Sequence, residues 1–330
     1  VYKRQVLDDP WPQVLEVRVF ASADAFNPLV ERIHEIPGSR EWPLSLLDGS
    51  PSPDGGVAGL QLHLVFGAPV ETLRLEDEVV GRAFQTPEAS YCVLGGLGPE
   101  DPRAHPADQT ISTLVRMEEA LKGQGMELTH LGRTWFFLHR ILGWYQEFNG
   151  ARTRIYQDRG IFQGYVPAST GIGGMNHRGS ALLASALAVK AKGGQARIRE
   201  VPSPLQCSAG DYGSSFSRAA ELQSRESRRL FVSGTASIDP EGETAHAGNV
   251  GAQIGLTFQV VEAILASRDM GFSDVVRGNA YFKDAADAPA LGPALASYGL
   301  APEQVVVSRN TVCREDLLFE MEVEASRAVV

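Results

Sequence analysis

The segment Leu318-Phe-Glu-Met-Glu-Val-Glu324 alternates apolar and acidic residues with a period of two, the pattern of a strand with one packed face. Its other face carries Glu320, Glu322 and Glu324. If that face closes against the rest of the chain, desolvation raises the proton affinity of Glu320, between Phe319 and Met321. A carboxyl kept protonated near neutral pH is a general acid. If the face stays open, the three glutamates are the solvated side of an edge strand. Cys313 lies shortly before this strand, where a free cysteine is by base rate a small buried hydrophobe. Cys92 and Cys207 lie far from it and no CxxC pair exists, so reduced thiols in a cytoplasmic protein are expected. The 7 histidines show no HxxxH or HxH spacing, so no metal site is inferred, and no organic cofactor is expected. Gly171-Ile-Gly-Gly174 lacks the Lys-Ser/Thr of a phosphate loop and reads as a turn.

The charge balance limits what such a site could bind. Lys and Arg number 30 against 40 Asp and Glu, a net charge of -10, which argues against a nucleic-acid surface. An anionic substrate would need local arginines working against that field, since planar guanidinium groups pair with carboxylates in bidentate fashion. With 43% hydrophobic and 21% charged residues the chain is of the globular class. No apolar run is long enough for a membrane span and no signal-like pattern stands at Val1. A small-molecule ligand, no nucleic acid, no membrane, and a monomer or small homo-oligomer are therefore expected.

Two segments share one order of landmarks. Tyr91–Gly96, Asp101-Pro102, His105 and Gln109 are followed by a helical stretch at 110–122 and strands at 128–138. Leu230–Thr235, Asp239-Pro240, His246 and Gln253 are followed by a helix at 250–268 and a strand at 275–282. The offset is 138 at Asp101/Asp239 and 144 at Gln109/Gln253, as two copies with small loop differences would give. A helix at 289–298 and strands at 305–311 and 317–324 complete a βαβαββ unit. In the first copy the Ala- and Leu-rich segment 180–191 has helical propensity, yet its place in the repeat is that of the last strand. The repeat takes precedence and predicts a strand. The Pro/Gly/Ser-rich stretch 201–217 is the best boundary candidate within a division into units of 1–192 and 193–330. Trp135, Phe136 and Phe137 are expected in the core or between the copies.

The second copy resembles the RidA (YjgF) superfamily in Val232-Ser-Gly-Thr-Ala-Ser-Ile238, Gly248, Gln253, Gly271–Val276, Tyr281-Phe-Lys-Asp284 and Phe319–Ala325. Three further segments resemble the chorismatases, two-copy relatives of that fold: Phe148-Asn-Gly-Ala-Arg152, Tyr212-Gly-Ser-Ser-Phe-Ser-Arg218 and Val312-Cys-Arg-Glu-Asp-Leu-Leu318. The fold implied is α/β (α+β), with two RidA/YjgF-like βαβαββ copies, the first degenerate, and a site near their junction, mainly on the second.

The activity implied is cleavage of chorismate with loss of pyruvate. The resemblance makes Glu320 the acid that protonates the enol-pyruvyl methylene. It likens Cys313 to the thiol of the hydroxybenzoate-forming subgroup. Arg152, Arg218 and Arg309 become carboxylate ligands, with Tyr212 as a hydroxyl donor. Tyr281 and Lys283 are weaker candidates. Ala236 departs from the smaller residue of the strict 3-hydroxybenzoate formers, so 4-hydroxybenzoate is an expected co-product. The rival expectations are a hydrolytic chorismatase giving the dihydroxycyclohexadiene carboxylate, a RidA-type imine deaminase, and a small-molecule binding protein.

Overall fold

The computed structural model describes residues 12–50 and 55–329. Each repeat forms a six-stranded sheet with helices on one face. The first holds β4 (Val70–Leu75), β5 (Glu78–Gln85), β6 (Ala89–Leu97), β7 (Leu131–Leu138), β8 (Ala168–Gly173) and β9 (Leu182–Ala191), in the order β4-β5-β6-β9-β7-β8. The second holds β10 (Arg197–Val201), β11 (Ala219–Gln223), β12 (Ser227–Ala236), β13 (Val275–Phe282), β14 (Val305–Arg309) and β15 (Phe319–Ala328), in the equivalent order β10-β11-β12-β15-β13-β14. Each copy thus carries two leading strands that the repeat pattern missed. Even an irregularity repeats: the ladder shifts between Leu94 and Leu97 in one copy and between Val232 and Thr235 in the other, a bulge at matching places.

Segment 180–191 is a strand, as the repeat predicts. Residues Leu182–Val189 of β9 are buried on both faces, and that burial overrides the helical propensity of Ala and Leu. Two expectations need correction. The stretch 202–218 joins β10 to β11, hydrogen-bonded neighbours of one sheet, so it is a loop inside the second copy. Gly171 and Gly173 lie in β8 rather than in a turn. A Cβ at Gly173 would stand 2.7 Å from the Thr311 carbonyl oxygen, so the glycine permits close approach of the two copies.

Alternation along the strands explains the layering. Phe136 and Leu138 of β7 pack under α2 (Pro106–Lys122) and α3 (Tyr145–Asp158), while Trp135 and Phe137 pack the other way, against Ala236, Ile238 and Tyr281 of the second copy. In β15, Phe319, Met321, Val323 and Ala325 face α4 (Val250–Ala266) and α5 (Leu291–Tyr298). The opposite faces of the two sheets meet, with Tyr91, Val93 and Val189 of one against Leu222 and Phe231 of the other.

A third sheet, formed by β1 (Gln13–Ala21), β2 (Leu44–Asp48) and β3 (Val57–Val65), closes this junction. Phe20 and Leu47 enter the core between the copies. Val17, Val19 and Ala21 pack on the other side under α1 (Phe26–His34). Among the described residues no helix is long and apolar enough to cross a membrane.

Candidate active site

A cavity of about 470 Å³ opens where the copies meet, within the size range of small-molecule sites. The first copy supplies the start of α3 and the middle of β8. The second supplies the loop before β11, the end of β12, the loop after β14 and the start of β15. The two copies contribute equal shares of the cavity lining, where the sequence led to the expectation that the second would carry most of the site.

Glu320 lies on the cavity wall with 5% of its surface exposed. It pairs with Ala236 on one side and Tyr281 on the other. The acidic face of β15 is turned into the sheet–sheet junction, so Glu322 and Glu324 are buried as well and the open edge-strand alternative fails. Burial, and then the negative charge of Glu322, push the Glu320 carboxyl up to about 8. Arg133 and Arg218 oppose that rise.

Glu322 and Glu324 experience the same burial with the opposite outcome. Desolvation pushes Glu322 upward, but Arg133 at 2.6 Å, Arg18 and hydrogen bonds from Thr170 and Asn279 bring it below the ordinary carboxylate range. Arg277, 2.5 Å from Glu324, likewise holds that group well below its usual range against burial.

Arg152 on α3 and Arg218 before β11 both line the cavity and are almost fully buried. Arg152 donates from Nη2 to Asn149 Oδ1 at 2.7 Å, and its guanidinium lies 4.8 Å from the Phe148 ring centre. Its Nε has no hydrogen-bond partner among the described residues. Arg218 donates from Nε to the Cys207 carbonyl oxygen at 2.9 Å. Cys313 is half-buried on the wall. Burial, with Glu320 adding to it, pushes the thiol up to about 12, against a hydrogen bond with Tyr145. The sulfur is therefore a neutral S–H at physiological pH.

Glu320, Cys313, Arg152, Arg218 and Ala236 are thus brought together. Tyr212 closes a short 3-10 turn, and its side chain lies outside the described residues. Three expected residues are not on the wall. Tyr281 is fully buried behind Glu320, its ring packed 6.2 Å from Phe20 in the junction core. Arg309 ends the edge strand β14 and is exposed, its charge acting on Asp48 rather than toward the cavity. Lys283 is also elsewhere, paired with Glu315 at 3.0 Å. Sequence reasoning passed over Trp144, Tyr145, Asn149, Ser169 and Arg314, which line the cavity. Asn149 and Arg314 lay inside the segments that carried the family resemblance. Tyr145 and Ser169 had no signal beyond their proximity to them. Among the described residues no group of three or more His, Cys, Asp or Glu could hold a metal ion.

Residues 214–327 match the family described as Endoribonuclease L-PSP. A 3-hydroxybenzoate synthase of Streptomyces hygroscopicus is 27% identical over 261 residues, 71% of this chain and 74% of that protein. A chorismatase of the same organism is 27% identical over 239 residues, 66% of this chain and 67% of that protein. A chorismatase crystal structure superposes with a TM-score of 0.68 over 94% of this chain and 92% of that one, at 21% identity, which establishes the fold. With its two-copy architecture, the chain has the fold of the chorismatase structure, carries a RidA-like (L-PSP) second copy, and is an enzyme similar in sequence to chorismatases and a 3-hydroxybenzoate synthase.

Proposed function

We propose that the protein converts chorismate to 3-hydroxybenzoate, with a share of 4-hydroxybenzoate, and pyruvate. The observation that carries this reading is a buried carboxyl, Glu320, held up to about 8 in a cavity that also contains Arg152 and Arg218. Chorismate is an enol ether with two carboxylates. Glu320 gives its proton to the enol-pyruvyl methylene, the ether carbon becomes cationic, and the bond from the ring to the ether oxygen breaks. Arg152 and Arg218 hold the two carboxylates. Loss of a ring proton, received by the Glu320 carboxylate, restores the acid and the aromatic ring. Chorismate's own atoms make up both products, so no water is consumed.

Cys313, as a neutral thiol beside Glu320, keeps water from the ring and directs the migrating hydroxyl. Ala236 faces Glu320 across the ladder, and its methyl group narrows the space where the ring would turn. That narrowing supports a mixture of hydroxybenzoates. In this reading 1–192 and 193–330 are the two units whose junction forms the site, and the chain needs neither a metal nor an organic cofactor.

The test is incubation of the pure protein with chorismate and chromatographic identification of the products. Hydroxybenzoate and pyruvate in equal amounts are expected. The dihydroxycyclohexadiene carboxylate as sole ring product would make the enzyme hydrolytic, and unconsumed chorismate would overturn the reading.

A further inference from the structure

Behind the cavity, Glu322 is the most completely bonded acid of the sheet junction. Its Oε1 accepts from Trp135 Nε1 at 3.0 Å and from Asn279 Nδ2 at 2.6 Å. Its Oε2 accepts from Arg133 Nη2 at 2.6 Å and from the Thr170 hydroxyl. These four donors come from β7, β8 and β13, so strands of both copies must be docked before the carboxylate is satisfied. The Arg133 guanidinium is further fixed by its face-on position 4.7 Å from the Trp135 ring centre. Glu320 stands two residues earlier on the same face of β15, at the separation of i and i+2 strand neighbours, roughly 7 Å.

We propose that Glu322 is a positioning residue: its donor cage keeps it a carboxylate, and that fixed negative charge holds the proton on Glu320. This rests on the reading of Glu320 as the acid, and supplies what that reading leaves open. Burial alone would protonate both glutamates. The cage discriminates between them, giving one carboxylate that stays charged and one that stays neutral. Glu320 itself faces Arg133, Arg218, Tyr281 and Cys313 as well as Glu322. Glu322 also faces Arg18 from β1 and Arg277 from β13. The three arginines Arg18, Arg133 and Arg277 are matched by Glu16, Glu322 and Glu324. Glu322 is therefore one member of a balanced set, while on Glu320 the pull of Arg133 and Arg218 does not outweigh burial.

The test reads the proton directly and does not depend on turnover. Wild type and E322Q are labelled with glutamate carrying 13C at Cδ. The Glu320 resonance is assigned by its loss in E320Q, and its midpoint is followed by titration. In E322Q the midpoint should fall by about one pH unit or more, because the repelling charge is gone and Arg133 is left without its partner. In E322D, which keeps the charge, it should stay within a few tenths of a unit. If E322Q does not fold, the double variant R133Q/E322Q leaves no unpaired buried charge, and its midpoint should also fall, by less. An unchanged midpoint in whichever neutral variant folds would overturn the proposal. A shifted midpoint in a protein that leaves chorismate intact would uphold it while refuting the activity.

Discussion

The Glu320 carboxylate occupies the space that a side chain on Gly234 would need. A Cβ built on Gly234 overlaps Glu320 Oε1 and stands 3.1 Å from both Glu320 Cδ and Thr170 Cγ2. The bulge of β12 brings this glycine against the acid and then sets Ala236 opposite it in the ladder. Glycine therefore leaves room here for the Glu320 carboxyl group in its observed position, and its φ is not in the left-handed region.

Gly234→Ala should consequently displace the Glu320 carboxyl while the surrounding strands stay paired. Turnover of chorismate should drop by ~10²-fold, in line with losing a general acid, with the far-UV circular dichroism unchanged. Near-normal turnover in a folded Gly234→Ala variant would show that the acid tolerates displacement.

Protonation of Glu320 fixes two pH dependences of the wild type. A general acid is active while protonated, so turnover should decline as pH rises through about 8, and Glu320→Gln should lose ~10²-fold or more below that pH, with the gap narrowing above it. The stability sign follows from linkage. The folded group holds its proton more tightly than its ordinary value of 4.5, so the favourable contribution is complete below that pH. It is lost as pH rises, at about 1.4 kcal/mol per unit until the folded group ionises. Glu320→Gln cannot ionise, so its melting temperature should gain on the wild type between pH 4.5 and 8 and run parallel above. A constant difference across that window would contradict a raised proton affinity.

Glu320 and Cys313 were legible in the sequence because a two-residue alternation and a short family segment survive without knowledge of packing. The burial of Glu322 and Glu324 was not, because it depends on the opposing sheet and on β1–β3, which belong to neither repeat. Tyr281 was misplaced for a related reason. Its strand was predicted correctly at 275–282, but whether its ring joins a cavity or a core depends on Phe20, a distant residue. Arg309 was carried over from a family position, yet here its strand lies at the sheet edge beside β3, with its charge acting on Asp48.

The proposed capture of the substrate carboxylates by Arg152 and Arg218 predicts a loss in affinity when either is removed. Both are almost fully buried, so each carboxylate contact is made away from water and Arg→Ala should cost about 2–5 kcal/mol of binding. Arg152→Lys should recover only part of it, since an ammonium lacks the planar fork and does not stack against Phe148 as a guanidinium does. Isothermal titration with a non-reacting dicarboxylate analogue measures this without turnover. Unchanged affinity in both alanine variants would remove them from the substrate contact.

In the proposed reaction the thiol of Cys313 steers which ring product leaves. With its proton affinity pushed up to about 12, the thiol rests protonated at neutral pH, and in the proposed reaction it acts through its volume and as a weak S–H donor. Either effect keeps water away from the ring carbon that carried the ether. Cys313→Ala removes both and opens room near Glu320 for a water molecule. Pyruvate release should continue, because the acid is intact, while ring product shifts from hydroxybenzoate toward the dihydroxycyclohexadiene carboxylate. Cys313→Ser, which keeps a donor of similar size, should shift it less. A packing cysteine would instead lower the melting temperature slightly and leave the ratio alone. Chromatography of the ring products from these two variants separates the cases, and an unaltered hydroxybenzoate fraction in Cys313→Ala would end the steering role.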